Sequence, residues 1–246
     1  MMFTPEWQLL ALALGLHLQD AILLLYANEG ILACSLAGTW SLRLGSPQAR
    51  LFGRELLLPH LLLVHRPLYR LQWNFEQAPR GDIAAWQPRT ELLRPVGFVV
   101  MAIGVFQFLV FPLVLLVYLT DLALLLTICG LYLCILLGLV LVGRSREALA
   151  MSQRQYWALC FECVICPPIA VNLVRKVSLT MSRACDLTQV AQVCLANDAW
   201  ARARALLGER LQTELTFLEE GSAPYQAMQR RHAQLLSAGS PAHVDL

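Results

Sequence analysis

Residues 96–142 read VGFVVMAIGVFQFLVFPLVLLVYLTDLALLLTICGLYLCILLGLVLV, and these 47 positions hold a single charge, Asp121. One continuous helix of that length would rise roughly 70 Å, more than twice the roughly 30 Å hydrocarbon core of a bilayer. The stretch therefore reads as a transmembrane hairpin. One helix falls near Gly97–Leu119 and the other near Leu122–Val142. The turn lies at Tyr118–Asp121, where an aromatic and a charge suit the interface. Pro112 kinks the first helix, which membrane helices tolerate when neighbours satisfy the freed carbonyl. In the second, Gly130, Cys134 and Gly138 recur every four residues, a small-residue stripe that lets another helix of the same chain approach closely.

The rest of the composition agrees with a membrane class. Of 246 residues, 57% are hydrophobic and only 15% charged, with mean hydropathy +0.56; a soluble domain carries about a quarter charged residues. The net charge of +2 is too small to argue for a nucleic-acid partner. The basic residues are 18 Arg and one Lys, Lys176, a skew that fits a GC-rich genome.

Trp7–Tyr26 is long enough to span and has an aromatic at each end. MMFTPE before it lacks a basic region, and no clear small-residue cleavage site follows, so an uncleaved first span is expected. Within it His17 and Asp20 share a face. Ionisable residues inside a span are costly and face a bundle interior or an aqueous cavity. They serve either as interhelical hydrogen-bonding groups or as an ion relay, with Asn28 and Glu29 extending the polar patch.

Between Arg43 and Arg94 lie eight arginines against Glu55, Glu76, Asp82 and Glu91. The positive-inside rule places this loop in the cytoplasm, and Arg144, Arg146 and Arg154 after the hairpin agree. The N-terminus is then outside and the C-terminus cytoplasmic, as in a bacterial inner membrane. Residues 40–45, 51–58 and 68–75 alternate in part and are separated by turn formers, so a small β-element is expected. An interfacial helix is the alternative, with Arg54, Arg66 and Arg70 reaching lipid phosphates or a partner. His60 and His65, five apart, match neither helical nor strand ligand geometry and read as surface histidines.

CFECVIC at Cys160–Cys166 offers three thiols at intervals of three, followed by Pro167 and Pro168. A cluster run needs a fourth cysteine close by, and the next is Cys185. In a helix Cys160 and Cys166 are about 9 Å apart along the axis, too far for one ion. These cysteines are expected to pack, and no metal or other cofactor is expected. Glu162 and the proline pair argue that Tyr156–Val174 lies along or dips into the inner face; a fourth span is the alternative.

In the tail, Leu187, Val190, Ala191, Cys194 and Leu195 form one helical stripe. Asp198 is expected to cap a second helix ending at Gly221, and Ser222 to start a third. No 34-residue period supports tetratricopeptide repeats. The organisation expected is thus a mostly α polytopic membrane protein with about three transmembrane helices. Residues 1–42 hold the first span and the segment that follows it, and 43–95 the basic loop. The hairpin occupies 96–143, the interfacial, re-entrant or fourth-span segment 144–182, and the cytoplasmic helices 183–246.

No phosphate loop, nucleophile elbow or paired-carboxylate site occurs. The function expected is anchoring or assembly of partner proteins by the basic loop and helical tail, in contact with the lipid bilayer and without catalysis. The alternatives are a transport or ion-pathway subunit using His17 and Asp20, and a redox or metal enzyme using the three cysteines.

Overall fold

The computed structural model describes residues 5–35, 38–60, 63–73, 90–118, 120–181 and 186–237. Residues 74–75 of the third expected strand, Arg80, Arg89, Leu119, Cys185 and the residues beyond Ser237 lie outside the described residues. About 65% of the described residues are helical, and two small sheets stand beside the helices, so the mostly α class holds.

The hairpin forms where its sequence requires. Helix α2 runs over Thr90–Val117 and α3 over Asp121–Arg144, and both are long and apolar enough to cross a membrane. Only 22% and 28% of their most apolar windows are buried, unlike the core helices of a soluble domain. Pro112 has no amide hydrogen to give, and the helix adjusts around it. Phe106–Val110 and Val114–Tyr118 are π-helical turns flanking Phe111–Leu113. The small-residue stripe meets neighbours closely. A Cβ on Gly130 would stand 2.9 Å from the Phe106 ring, and one on Gly138 would stand 3.0 Å from Leu173.

The N-terminal helix is shorter than its hydropathy suggests. Helix α1 covers Pro5–Ala21, 17 residues, instead of continuing to Tyr26. Strand pairing captures the following leucines: β1 (Leu23–Leu25) lies antiparallel to β5 (Arg54–Leu57), with Leu24 opposite Leu56. Strand β4 (Ser46–Leu51) completes this sheet in the order β1-β5-β4. The second sheet is β3-β2-β6, built from Trp40–Leu44, Glu29–Cys34 and Leu68–Gln72. The described part of the basic loop therefore carries strands where the interfacial-helix alternative would put a helix, because cross-strand partners satisfy its backbone N–H and C=O groups. Strand β1 comes from the stretch assigned to the first span, Trp7–Tyr26, and β2 follows it.

Register sorts the second sheet into two faces. Leu32 pairs with Leu42 and Tyr69, and this face carries Leu71 as well. Three helices cover it: α7 (Leu187–Cys194), α8 (Asn197–Leu215) and α9 (Ala223–Ser237). The opposite face presents Ile31, Ala33 and Leu68 to Leu25 and Leu57 of the first sheet. Loop strands and tail helices thus form one body in three layers.

The cap expected at Asp198 is misplaced. Ala196 occupies the N-cap of α8 and Asp198 sits in the first turn, paired with Arg202 at 3.2 Å. The aspartate that caps is Asp186, whose carboxylate accepts from the amides of Thr188 and Gln189 at the start of α7.

Between hairpin and body the chain descends and returns. Helix α4 (Gln153–Ile165) starts in a capping box made by Ser152 and Gln155. It runs antiparallel to α3: Tyr156 Oη donates to the Leu139 carbonyl at 3.2 Å, and Tyr132 Oη donates to that of Val164 at 3.1 Å. The chain then reverses through the short helix α5 (Pro167–Ala170), where Gln107 Nε2 donates to the Pro168 carbonyl at 3.4 Å. Helix α6 (Leu173–Thr180) returns to the sheets, and Ser178 Oγ accepts the Leu68 amide at 2.8 Å.

Candidate functional site, a polar hub under the sheets

Three helices bring their polar residues to one place. Asp20, on the last turn of α1, reaches Lys176 Nζ at 2.8 Å and accepts from Asn172 Nδ2 at 2.9 Å. Lys176 also reaches Glu162 of α4 at 2.9 Å. His17, one turn before Asp20, is 1% exposed. Its Nδ1 lies 3.4 Å from Asn172 Nδ2, and its ring meets Phe108 edge-on with centroids 5.0 Å apart. Arg175 donates to Asn172 Oδ1 at 3.2 Å and to the backbone carbonyls of His60 and Leu63.

The contacts of this arrangement tie three helices together. Asp20 uses one carboxylate oxygen for Lys176 and the other for Asn172, so α1 is tied to α6 by a partly buried ion pair and a charge-assisted bond. Glu162 ties α4 to the same lysine. Glu29 does not extend this patch as expected from the sequence. It turns into the second sheet, where Arg70 Nε donates at 2.9 Å, Gln72 Nε2 at 2.6 Å and the Tyr26 amide at 2.8 Å. Burial alone would raise the Glu29 pKa; the bonds from Arg70, Gln72 and the Tyr26 amide outweigh it and hold the carboxyl below its ordinary range.

The arginines expected as lipid or partner contacts sit in three different settings. Arg70 is neutralised by Glu29. Arg54 lies 4.5 Å over the Tyr26 ring and donates to its hydroxyl at 2.6 Å. Arg66 lines a cavity with Arg43 and Arg175 instead. Two further ion pairs tie the body together: Arg210 of α8 reaches Glu55 of β5 at 2.7 Å, across layers, and Arg231 of α9 reaches Asp186, the cap of α7, at 2.6 Å.

Of the three-cysteine run, Cys163 is fully buried in the core between α3, α4 and α6, while Cys160 and Cys166 are partly exposed. Among the described residues no group of three His, Cys, Asp or Glu is placed to hold a metal ion.

Asn172, Arg175 and Lys176 were not singled out as site residues from the sequence. A signal was present in NLVRK at 172–176: polar residues at i, i+3 and i+4 share one helical face. No protein-family model, curated protein or solved structure matches the chain. Its class rests on its own architecture: a mostly α chain with two helices able to cross a membrane, joined to a body of two small sheets and three helices.

Proposed function

We propose that the chain is a multi-pass integral membrane protein that anchors or assembles partner proteins through the body formed by its basic loop and helical tail. The observation that carries the membrane part is the exposure of large apolar side chains along four neighbouring helices. Leu12 on α1, Leu109 on α2, Leu133 on α3 and Phe161 on α4 are 59%, 64%, 70% and 68% exposed. A monomeric soluble protein rarely leaves so extended an apolar face uncovered.

Three crossings account for the arrangement, with α1, α2 and α3 as spans. Helix α1 rises about 25 Å, and a helix somewhat shorter than the bilayer crosses by locally thinning it. The segment α4–α6 is re-entrant: it descends beside α3, reverses at Pro167-Pro168, and returns to the same side. The N-terminus is outside, and the body lies in the cytoplasm of a bacterial cell, consistent with its arginines.

Partner assembly is supported by the body's own surface. Leu206 and Phe217, on and just after α8, are 52% and 82% exposed, outside the part facing the bilayer. The ion-pathway alternative draws less support, because Asp20 is occupied by Lys176 and Asn172. The test is isolation of the full chain from its native membrane beside a Leu206→Ser/Phe217→Ser variant. The reading expects a stoichiometric partner chain with the wild type, lost from an equally abundant variant. Absence of any stoichiometric partner, with ion flux into vesicles that Asp20→Asn abolishes, would replace it with the pathway reading.

A further inference from the structure

A cavity between the two sheets and α6 is lined by Arg43 of β3, Arg66 from the connection before β6, and Arg175 of α6, with Ser41, His60 and Ile31 beside them. Among the described residues no carboxylate lines it. The register explains why these cations meet. Ile31 is paired with Arg43 on one side and Arg70 on the other, so all three side chains stand on the face turned toward the first sheet. Arg70 is neutralised there by Glu29. Among the described residues Arg43 and Arg66 have neither a hydrogen bond nor an ion pair, and the Arg66 Nε is buried without a partner.

Arg175 makes the case stronger. It is 4% exposed, and its hydrogen bonds go to neutral acceptors, Asn172 Oδ1 and the carbonyls of His60 and Leu63, while the carboxylate of Asp20 acts on it only through space. Its Nε is buried and has no hydrogen-bond partner. Buried cations are ordinarily paired with an anion, and three around one cavity repel one another. The cavity itself holds about 20 Å³, room for one small group, with the remainder of a ligand at its open mouth. Guanidinium forks match the oxygens of a phosphoryl group better than any other common anion except a carboxylate, and a phosphate offers more acceptors to three donors.

We propose that Arg43, Arg66 and Arg175 form a binding site for a phosphate-bearing anion. The inference goes beyond the anchoring reading and does not depend on it. A phospholipid headgroup and a soluble phosphate share this chemistry, and two arms separate them. The full chain in neutral detergent is titrated with inorganic phosphate against chloride at equal ionic strength. In parallel it is placed in phosphatidylcholine nanodiscs with and without phosphatidylglycerol. The readouts are the unfolding midpoint and lipid retention in native mass spectrometry.

A raised midpoint in the phosphate arm identifies a soluble anion. A raised midpoint and retained phosphatidylglycerol in the nanodisc arm alone identify a headgroup. Arg43→Gln/Arg66→Gln should weaken the response about tenfold or more, the loss of charge-assisted bonds, while Arg54→Gln leaves it unchanged. Because the two replaced arginines repel and have no partners, the double variant without anion should be at least as stable as wild type. No response in either arm, or an equal response in the double variant, would overturn the site.

Discussion

Replacing Asp20 with alanine tests the hub against its nearest rival, a surface ion pair of little consequence. The carboxylate is 18% exposed and serves Lys176 at 2.8 Å and Asn172 at 2.9 Å. Its removal does not strand Lys176, whose ammonium keeps Glu162 at 2.9 Å. The full cost of about 3–5 kcal/mol for breaking a buried pair is therefore not expected. What is lost is a charge-assisted bond worth about 2 kcal/mol, and the buried Asn172 amide, left with only the longer contact to His17 Nδ1 at 3.4 Å, costs about 1 kcal/mol more. The sum is about 3 kcal/mol, a fall of about 6–12 °C in unfolding midpoint for a chain of this size. Glu162→Ala removes a carboxylate that is 49% exposed, and its cost is about 0–1 kcal/mol. The double variant leaves Lys176 with neither partner, so its loss should exceed the sum of the single losses. Tryptophan-fluorescence melting of the purified full chain in one detergent measures all three. A Glu162→Ala loss equal to that of Asp20→Ala, or strictly additive losses, would refute the reasoning.

Glu29 supplies the pH dependence: its folded pKa is depressed, so its contribution is present above the unfolded value of about 4.3 and lost as pH falls through the lower folded value. Acid titration of stability should show a steeper fall for wild type than for Glu29→Gln below about pH 5. Gly130→Ala pushes a Cβ to 2.9 Å from Phe106 and should cost about 1–3 kcal/mol. Gly15→Ala, with nothing within 4 Å of the new Cβ, should be neutral or stabilising by up to about 1 kcal/mol in the same melts. Cys163→Ser places a hydroxyl in a fully buried site and should cost about 1–3 kcal/mol. Cys166→Ser, partly exposed past the helix end, should change the midpoint little.

Much of the architecture could be read from the chain because its strongest signals are local. Asp121, the single charge in 47 residues, marks the hairpin turn, and the prolines at 167–168 mark the reversal. Alternation around Trp40 and Tyr69 revealed the strands. The first helix was overextended because LLLY after Ala21 is as apolar as the helix before it; only pairing with β5, some thirty residues away, assigns those leucines to a strand. Asp198 misled because any aspartate before an apolar stripe resembles a cap, whereas Asp186 caps α7 and also pairs with Arg231. The same limit governs the sites. His17 and Asp20 stood out as charges in an apolar run, but their partners Asn172 and Lys176 are more than 150 positions away. The grouping of Arg66 with Arg43 and Arg175 depends on strand register and helix return together, which no short window contains.

The central claim is that loop strands and tail helices form one cytoplasmic body on a protein that crosses the bilayer three times. Reporter fusions within 80–89, after Leu246 and before Met1 test it most directly. The packing of α7–α9 on the second sheet requires the first two reporters to be on the same side. The account predicts a cytoplasmic signal from both and an external signal from the N-terminal fusion. A loop and a C-terminus on opposite faces would contradict it, because a bilayer cannot pass between layers that share one core.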